Sequence, residues 1–190
     1  MDMREYLNKK TPAHLMYMVA VVAGLTQVLQ SFVAEPHFET VVGFRPFDTQ
    51  FPLSSVAIAI QLGAYGDGAV SAYAVFVTIE VLSALLVAVL FMLLWQWLFL
   101  VSPNRIFSLL RNGGILIAPF AALICDVVES VGFARLISGV PGSLFESTME
   151  FSILMHKLKF AFQDIRLYLT AFFLVVTVSR WLSKPGDSSH

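Results

Sequence analysis

Long apolar runs alternate with short polar stretches along the chain, and the apolar runs reach the length of roughly 20 residues that a helix needs to cross about 30 Å of hydrocarbon. The first is AHLMYMVAVVAGLTQVLQSFVA, residues 13–34, preceded by Thr11-Pro12 in an arrangement that suits a helix start. The second, VLSALLVAVLFMLLWQWLFLV, reaches back to residue 69 and is stopped at 101 by Ser102-Pro103. The third covers 114–140 and closes on GVPG; the fourth runs from Ser143 to about Ser183, with only its second half, 160–183, purely apolar. Residues 35–68 form the one sizeable loop. Within it, RPFDTQFPLSS reads as turns, and SSVAIAIQLGAYGDG as a short helix capped by Ser54 or Ser55 and ended by glycine. The pattern predicts an all-α membrane protein of one domain, 1–190. Its fold is a bundle of four transmembrane helices with a short surface or reentrant helix between spans one and two.

Composition supports this. Hydrophobic residues make up 57% of the 190 and charged residues 13%, against about 25% charged in soluble domains. The net charge of −1 offers nothing to a nucleic acid. A single cysteine, Cys125, rules out an internal disulfide and a multi-cysteine metal site, and its apolar setting suits an inert thiol. Lys9 and Lys10 ahead of the first run resemble a secretory signal. The run is long for one, however, Phe32 spoils the small-residue cleavage pattern before Ala34, and Asp2 and Glu5 argue against a transit peptide, so a retained span is expected. Arg4, Lys9, Lys10, Arg105, Arg111, Arg180 and Lys184 fall on one side, and the acids Glu35, Glu39, Asp48, Asp67 and Glu146, with Arg45 and Arg135, on the other. Both termini are therefore expected on the positive-inside face, in an organelle inner membrane or a bacterial-type plasma membrane alike. Trp95 and Trp97 suit an interfacial belt, and His14 and His37 lie near membrane boundaries.

The third run, FAALICDVVESVGF, contains two acids. An ionisable group at a helix centre costs about 2.5–3.5 kcal/mol on insertion scales, so such groups face protein or water. Ala118, Ala122, Asp126, Ser130 and Ala134 recur every four residues and form a small-residue row for close helix packing; Ser138 continues it. The row drifts around the helix, so only its centre, at Asp126, faces one neighbour. Glu129, three residues on, also looks inward. On helix four, His156, Lys159, Gln163 and Arg166 form one polar stripe and are the natural partners. Glu146, Glu150, Lys157 and Asp164 form another, which reads as a water or headgroup face, and Lys157 and Arg166 have the reach to snorkel. Glu80 adds a third acid. Glu80, Asp126, Glu129, His156 and Lys159 could thus form a buried site for acid–base chemistry on a lipid or for proton passage. The simpler reading, favoured because no nucleophile arrangement or Gly-rich phosphate loop accompanies them, is a charge-paired cluster that sets helix register. The motif of a zinc site is absent.

The segments FDTQF, LGAYGDGAVSAY, CDVVES and HKLKF, with Glu80 between the second and third, resemble an uncharacterised family of small four-helix integral membrane proteins. Its motifs correspond to Asp48, Thr49 and Phe51 in the first long loop, and to Leu62, Gly63 and Gly66 entering helix two. Glu80 on helix two, Asp126 and Glu129 on helix three and Lys159 on helix four complete the correspondence. The chain departs from it in lacking a basic pair after Gly66, in Ser130 where Asn is usual and in His156 where a hydroxyl residue is usual. The resemblance implies a helical bundle and names no reaction. With almost no soluble domain and two overlong helices, the chain is expected to be a non-catalytic subunit. Such a subunit packs against membrane lipids and other subunits of a membrane protein complex, with bound lipid and no cofactor. The alternative is a small intramembrane lipid-modifying enzyme, or a proton or solute path, built on the carboxylate–His–Lys cluster.

Overall fold

A computed structural model describes the backbone of residues 3–183 and the side chains from His14 onward. Asp2, Lys184 and the side chains of Arg4, Glu5, Lys9 and Lys10 lie outside it. Among the described residues the chain is entirely helical and turn, with four helices long and apolar enough to cross a membrane.

The first rod is longer at both ends than the sequence predicts. α1 (Met3–Leu29) runs straight through Thr11-Pro12, so this pair does not start the helix. A π turn (Gln30–Ala34) then leads without a break into α2 (Glu35–Val42), which shortens the expected 35–68 loop. Pro36 explains the π turn. A proline ring clashes with the carbonyl four residues back, here Phe32, and widening that turn removes the clash. Gly43, in the left-handed region at φ 82°, ends the rod.

A 3-10 turn (Phe47–Thr49) then dips into the bundle, burying Phe47 and Asp48. α3 (Ser55–Ala64) follows, with Ser54 Oγ accepting the Ala57 N–H at 3.2 Å. It continues past Gly63 and ends at Tyr65 in extended backbone, so glycine does not terminate it. α3 packs against α7 and buries Ile58 and Gln61, while the Gln50 and Gln61 side-chain amides pair reciprocally at 3.0 and 2.9 Å.

α4 (Ala69–Val101) ends at Ser102-Pro103. The amphipathic α5 (Arg105–Asn112), capped by Asn104 Oδ1 on the Phe107 N–H at 2.8 Å, was not foreseen. A 3-10 turn (Ile115–Ile117) precedes α6 (Pro119–Ser138), and α7 (Gly142–Leu182) closes the description. α1 and α6 both pack on α4, and α7 packs chiefly on α6.

Two apolar clusters flank the middle of the bundle. One gathers Phe38, Phe47, Tyr73, Phe76 and Phe133; the other gathers Trp95, Leu98, Phe99, Phe107 and Phe173. Trp95 belongs to the second cluster and not to an interfacial belt: it is fully buried and donates its indole N–H to Thr170 Oγ1 at 2.8 Å. Of the small-residue row, Ala122, Asp126 and Ser130 are buried, Ala134 is half-buried, and Ala118 and Ser138 are exposed, as the drift of an i+4 row requires. A close approach of α6 to α7 lies off that row, at Gly132, where a Cβ would stand 2.0 Å from Ser152 Oγ and 3.1 Å from its Cβ.

Gly132→Ala is expected to destabilise the bundle by about 1–3 kcal/mol through overpacking, and adding Ser152→Gly to recover part of the loss. Thermal unfolding in detergent checks both; a Gly132→Ala protein as stable as wild type would show that the helices separate freely here.

Candidate functional site

The cluster forms between the two apolar clusters, where three helices each turn a polar stretch inward. α4 contributes Glu80, α6 Asp126 and Glu129, and α7 His156 and Lys159. The three-residue spacings on α6 and α7 place each pair on one face, and the Gly132–Ser152 approach one turn along holds these faces together.

Lys159 is the centre. Its Nζ lies 2.8 Å from Glu129 Oε2, 2.9 Å from Asp126 Oδ1 and 3.7 Å from Glu80 Oε1, and no member of the set is more than 8% exposed at its side chain. Behind Lys159, His156 Nδ1 meets Glu129 Oε1 at 2.6 Å, and His156 Nε2 meets the Gln50 carbonyl at 2.9 Å. A carbonyl only accepts, so Nε2 carries a hydrogen. The Nδ1–Oε1 contact then holds a second proton between two groups that would otherwise both be acceptors. Glu129 thus meets His156 with one oxygen and lies 2.8 Å from the Lys159 ammonium with the other.

The structure adds a fourth carboxylate, Asp48, from the 3-10 turn. It is 3% exposed, and its Oδ2 accepts the Tyr73 hydroxyl at 2.7 Å. The sequence pointed to Asp48 only through the loop motif of the family resemblance, because nothing in a turn's periodicity says that it enters a bundle. Burial above all, with the Glu129 carboxylate nearby, pushes Asp48 up to about 7, and Lys159 and the Tyr73 hydroxyl oppose that shift.

A polar cavity of about 420 Å³ opens beside the cluster. Glu80, Asp126 and Lys159 form one end of its wall, with Asp48 and Thr49 from the turn. Gln163 and Arg166 continue it along α7, and Gln27 and Gln30 close it from the first rod. Gln27 donates to the buried Ser83 Oγ, tying α1 to α4. Arg166 does not snorkel; it lines the cavity with its guanidinium 4.3 Å from the centre of the Phe91 ring.

Three carboxylate oxygens at this site, Glu80 Oε2, Asp126 Oδ2 and Glu129 Oε2, are buried without a hydrogen bond among the described residues, as is the donor Arg166 Nε; Glu129 Oε2 still lies 2.8 Å from the Lys159 ammonium, while Glu80 and Asp126 are the two acids that line the cavity. Cys125 is buried and free. His14 and His37 are exposed, far along the first rod from the cluster, and Glu146, Glu150, Lys157 and Asp164 all face outward. Among the described residues no cluster of His, Cys, Asp and Glu has the geometry of a metal site. Searches against protein-family models, curated proteins and solved structures find no match to this chain. The family resemblance thus rests on its short motifs, and the site must be read from its chemistry.

Lys159→Met is expected to cost about 3–5 kcal/mol, since it strands at least two buried carboxylates; the readout is loss of the monodisperse peak in size-exclusion chromatography. Asp48 binds its proton more tightly in the folded chain than in the unfolded one. Its contribution is therefore most favourable below about pH 4, the ordinary carboxylate value, and is lost as pH rises through about 7. Asp48→Asn, which keeps an acceptor for Tyr73, is expected to gain melting temperature relative to wild type between about pH 5 and pH 8. A pH-independent difference would count against this assignment.

Proposed function

We propose that the chain is an integral membrane protein, a four-transmembrane-helix bundle with both termini on the positive-inside face, that acts through this cavity as a small lipid-modifying enzyme. One observation carries the reading: Glu80 and Asp126 present unpartnered, buried oxygens to a polar cavity. A cluster whose task is to fix helix register gains nothing from open acceptors, since each buried polar atom left unpaired costs about 1–3 kcal/mol. A site that receives a donor from a bound molecule requires them.

Roles follow from position. Asp126 and Glu80 are the groups that touch a bound molecule and are placed to accept a proton from its hydroxyl or ammonium. Lys159 lines the same wall and is placed to stabilise negative charge developing on it. Glu129 and His156 stand behind Lys159 and act as positioning residues, with Gln50 fixing the imidazole from the loop. The surface supports the membrane setting: Tyr17, Phe32, Tyr168 and Trp181 are each 66% exposed or more, which water would not tolerate across so much of one chain.

A second reading, a non-catalytic subunit of a larger membrane complex, draws on the first rod. Only 6% of its most apolar window is fully buried within the chain, so outside the stripe that packs on α4 the rod offers its surface to lipid or to partner subunits.

Two measurements separate these. Glu80→Gln and Asp126→Asn proteins are expected to insert and purify like wild type, because neither change removes the Glu129–Lys159–His156 core. Cells overproducing wild type should show a change in one membrane lipid class that the two variants do not produce. An unchanged lipid profile with folded wild-type protein overturns the enzymatic reading. Extraction from the native membrane in mild detergent is expected to give a monomer or small homo-oligomer by particle mass; a large stoichiometric assembly would establish the subunit reading instead.

A further inference from the structure

The cavity has opposite chemistry at its two ends. At the Lys159 end are the two open acceptors, Glu80 Oε2 and Asp126 Oδ2, on residues 6% and 4% exposed. At the other end is the Arg166 guanidinium, whose Nε is an open buried donor. Lys159 and Arg166 are seven residues apart on one helix, a rise of about 10 Å. Gln163 and Gln30 line the wall as well and supply neutral amide groups.

A simple cation satisfies one end of this wall and a simple anion the other, while a zwitterion satisfies both. We infer that the cavity takes a headgroup carrying a primary ammonium and a phosphate, the ammonium on Glu80 and Asp126 and the phosphate on Arg166. This rests on the reading of the cavity as the working site and names the class of molecule it holds.

Charge and shape narrow the choice further. Lys159 neutralises only part of the surrounding acid, so the open carboxylate oxygens favour a cation with N–H donors. A quaternary ammonium has no such donors and is held by aromatic cages, and this cavity has a single aromatic side chain in its wall, Phe160. Arginine's planar fork matches phosphate oxygens in a way the neighbouring glutamines do not. The volume, about 420 Å³, suits a headgroup and glycerol but not two acyl chains. Those chains have a place to lie. Gln27 lines the cavity yet is exposed on α1, so the cavity opens onto the outer surface of the bundle, where apolar side chains are widely exposed. The ligand chemistry is shared by an aminophospholipid such as phosphatidylethanolamine and by soluble phosphoethanolamine.

The test is thermal unfolding of the full chain in detergent, titrated separately with phosphatidylethanolamine, phosphatidylcholine, phosphatidylglycerol and free phosphoethanolamine. Phosphatidylethanolamine is expected to raise the melting temperature at concentrations at least about tenfold below those needed for the other two lipids, the difference that a charged hydrogen bond commands. Glu80→Gln should erase the preference over phosphatidylglycerol, and Arg166→Gln should weaken both lipids together. Stabilisation by free phosphoethanolamine as strong as by the lipid supports the zwitterion and assigns the ligand to the soluble pool. Equal stabilisation by all three lipids, or preference for phosphatidylglycerol, overturns the zwitterion while leaving the cavity as a site. No stabilisation by any of the four overturns both. The wild-type ranking alone decides these outcomes, so a variant that fails to fold does not blunt the test.

Discussion

A single ammonium group holds the middle of this bundle together. Lys159 reaches Asp126 and Glu129 at hydrogen-bonding distance and Glu80 just beyond it, so one side chain on α7 is ion-paired with two other helices. In an apolar medium its attraction for the acids is strong because the alternative is a naked charge, and the same medium makes any imperfect partner costly. That is why the geometry around it is so fully specified. Glu129 is locked by His156, His156 by the Gln50 carbonyl, and Gln50 by Gln61 on α3. The chain of bonds runs from the bundle interior out to the interhelical segment.

The two apolar clusters are the counterpart of that network. Phe38, Phe47, Tyr73, Phe76 and Phe133 close one side of it, and Trp95, Phe99, Phe107 and Phe173 close the other. They restrict the polar groups to one layer of the bundle, which keeps the local dielectric low and the ion pairs strong. Within that layer only the side facing the cavity is left incomplete. The contrast between Glu129, whose oxygens face His156 and Lys159, and Glu80, which has one oxygen without a partner and lines the cavity, is the feature on which a functional reading turns.

Hydropathy made the four long helices legible, because a run of twenty apolar residues has few other uses. Helical spacing also brought His156 and Lys159 opposite Asp126 and Glu129, since residues three apart share a face whatever the tertiary structure. Other features depend on information that spacing does not hold. Asp48 enters the site from a turn, and a turn's direction is set by what it packs against. Trp95 looks interfacial by its place near a helix end, but Phe173 of α7 packs on it and Phe107 of α5 joins the same cluster, which turns that end into core. The small-residue row identified the right helix face near Asp126 but missed Gly132, which lies off that row and meets Ser152 too closely to leave room for a Cβ. Pro12 resembled a helix start, and Pro36 gave no sign that a π turn would carry the helix through it.

The order of these residues in the chain has a consequence for how the protein enters a membrane. Asp126 and Glu129 are synthesised some thirty residues before the lysine that neutralises them. A helix inserting alone with two unpaired acids faces about 2.5–3.5 kcal/mol for each, whereas Glu80 sits in a helix apolar enough to carry it. α6 is thus a poor substrate for one-at-a-time insertion. In the membrane setting proposed above, α6 and α7 would enter lipid at least cost as a closed hairpin, with Gly132 against Ser152 and the charges already cancelled.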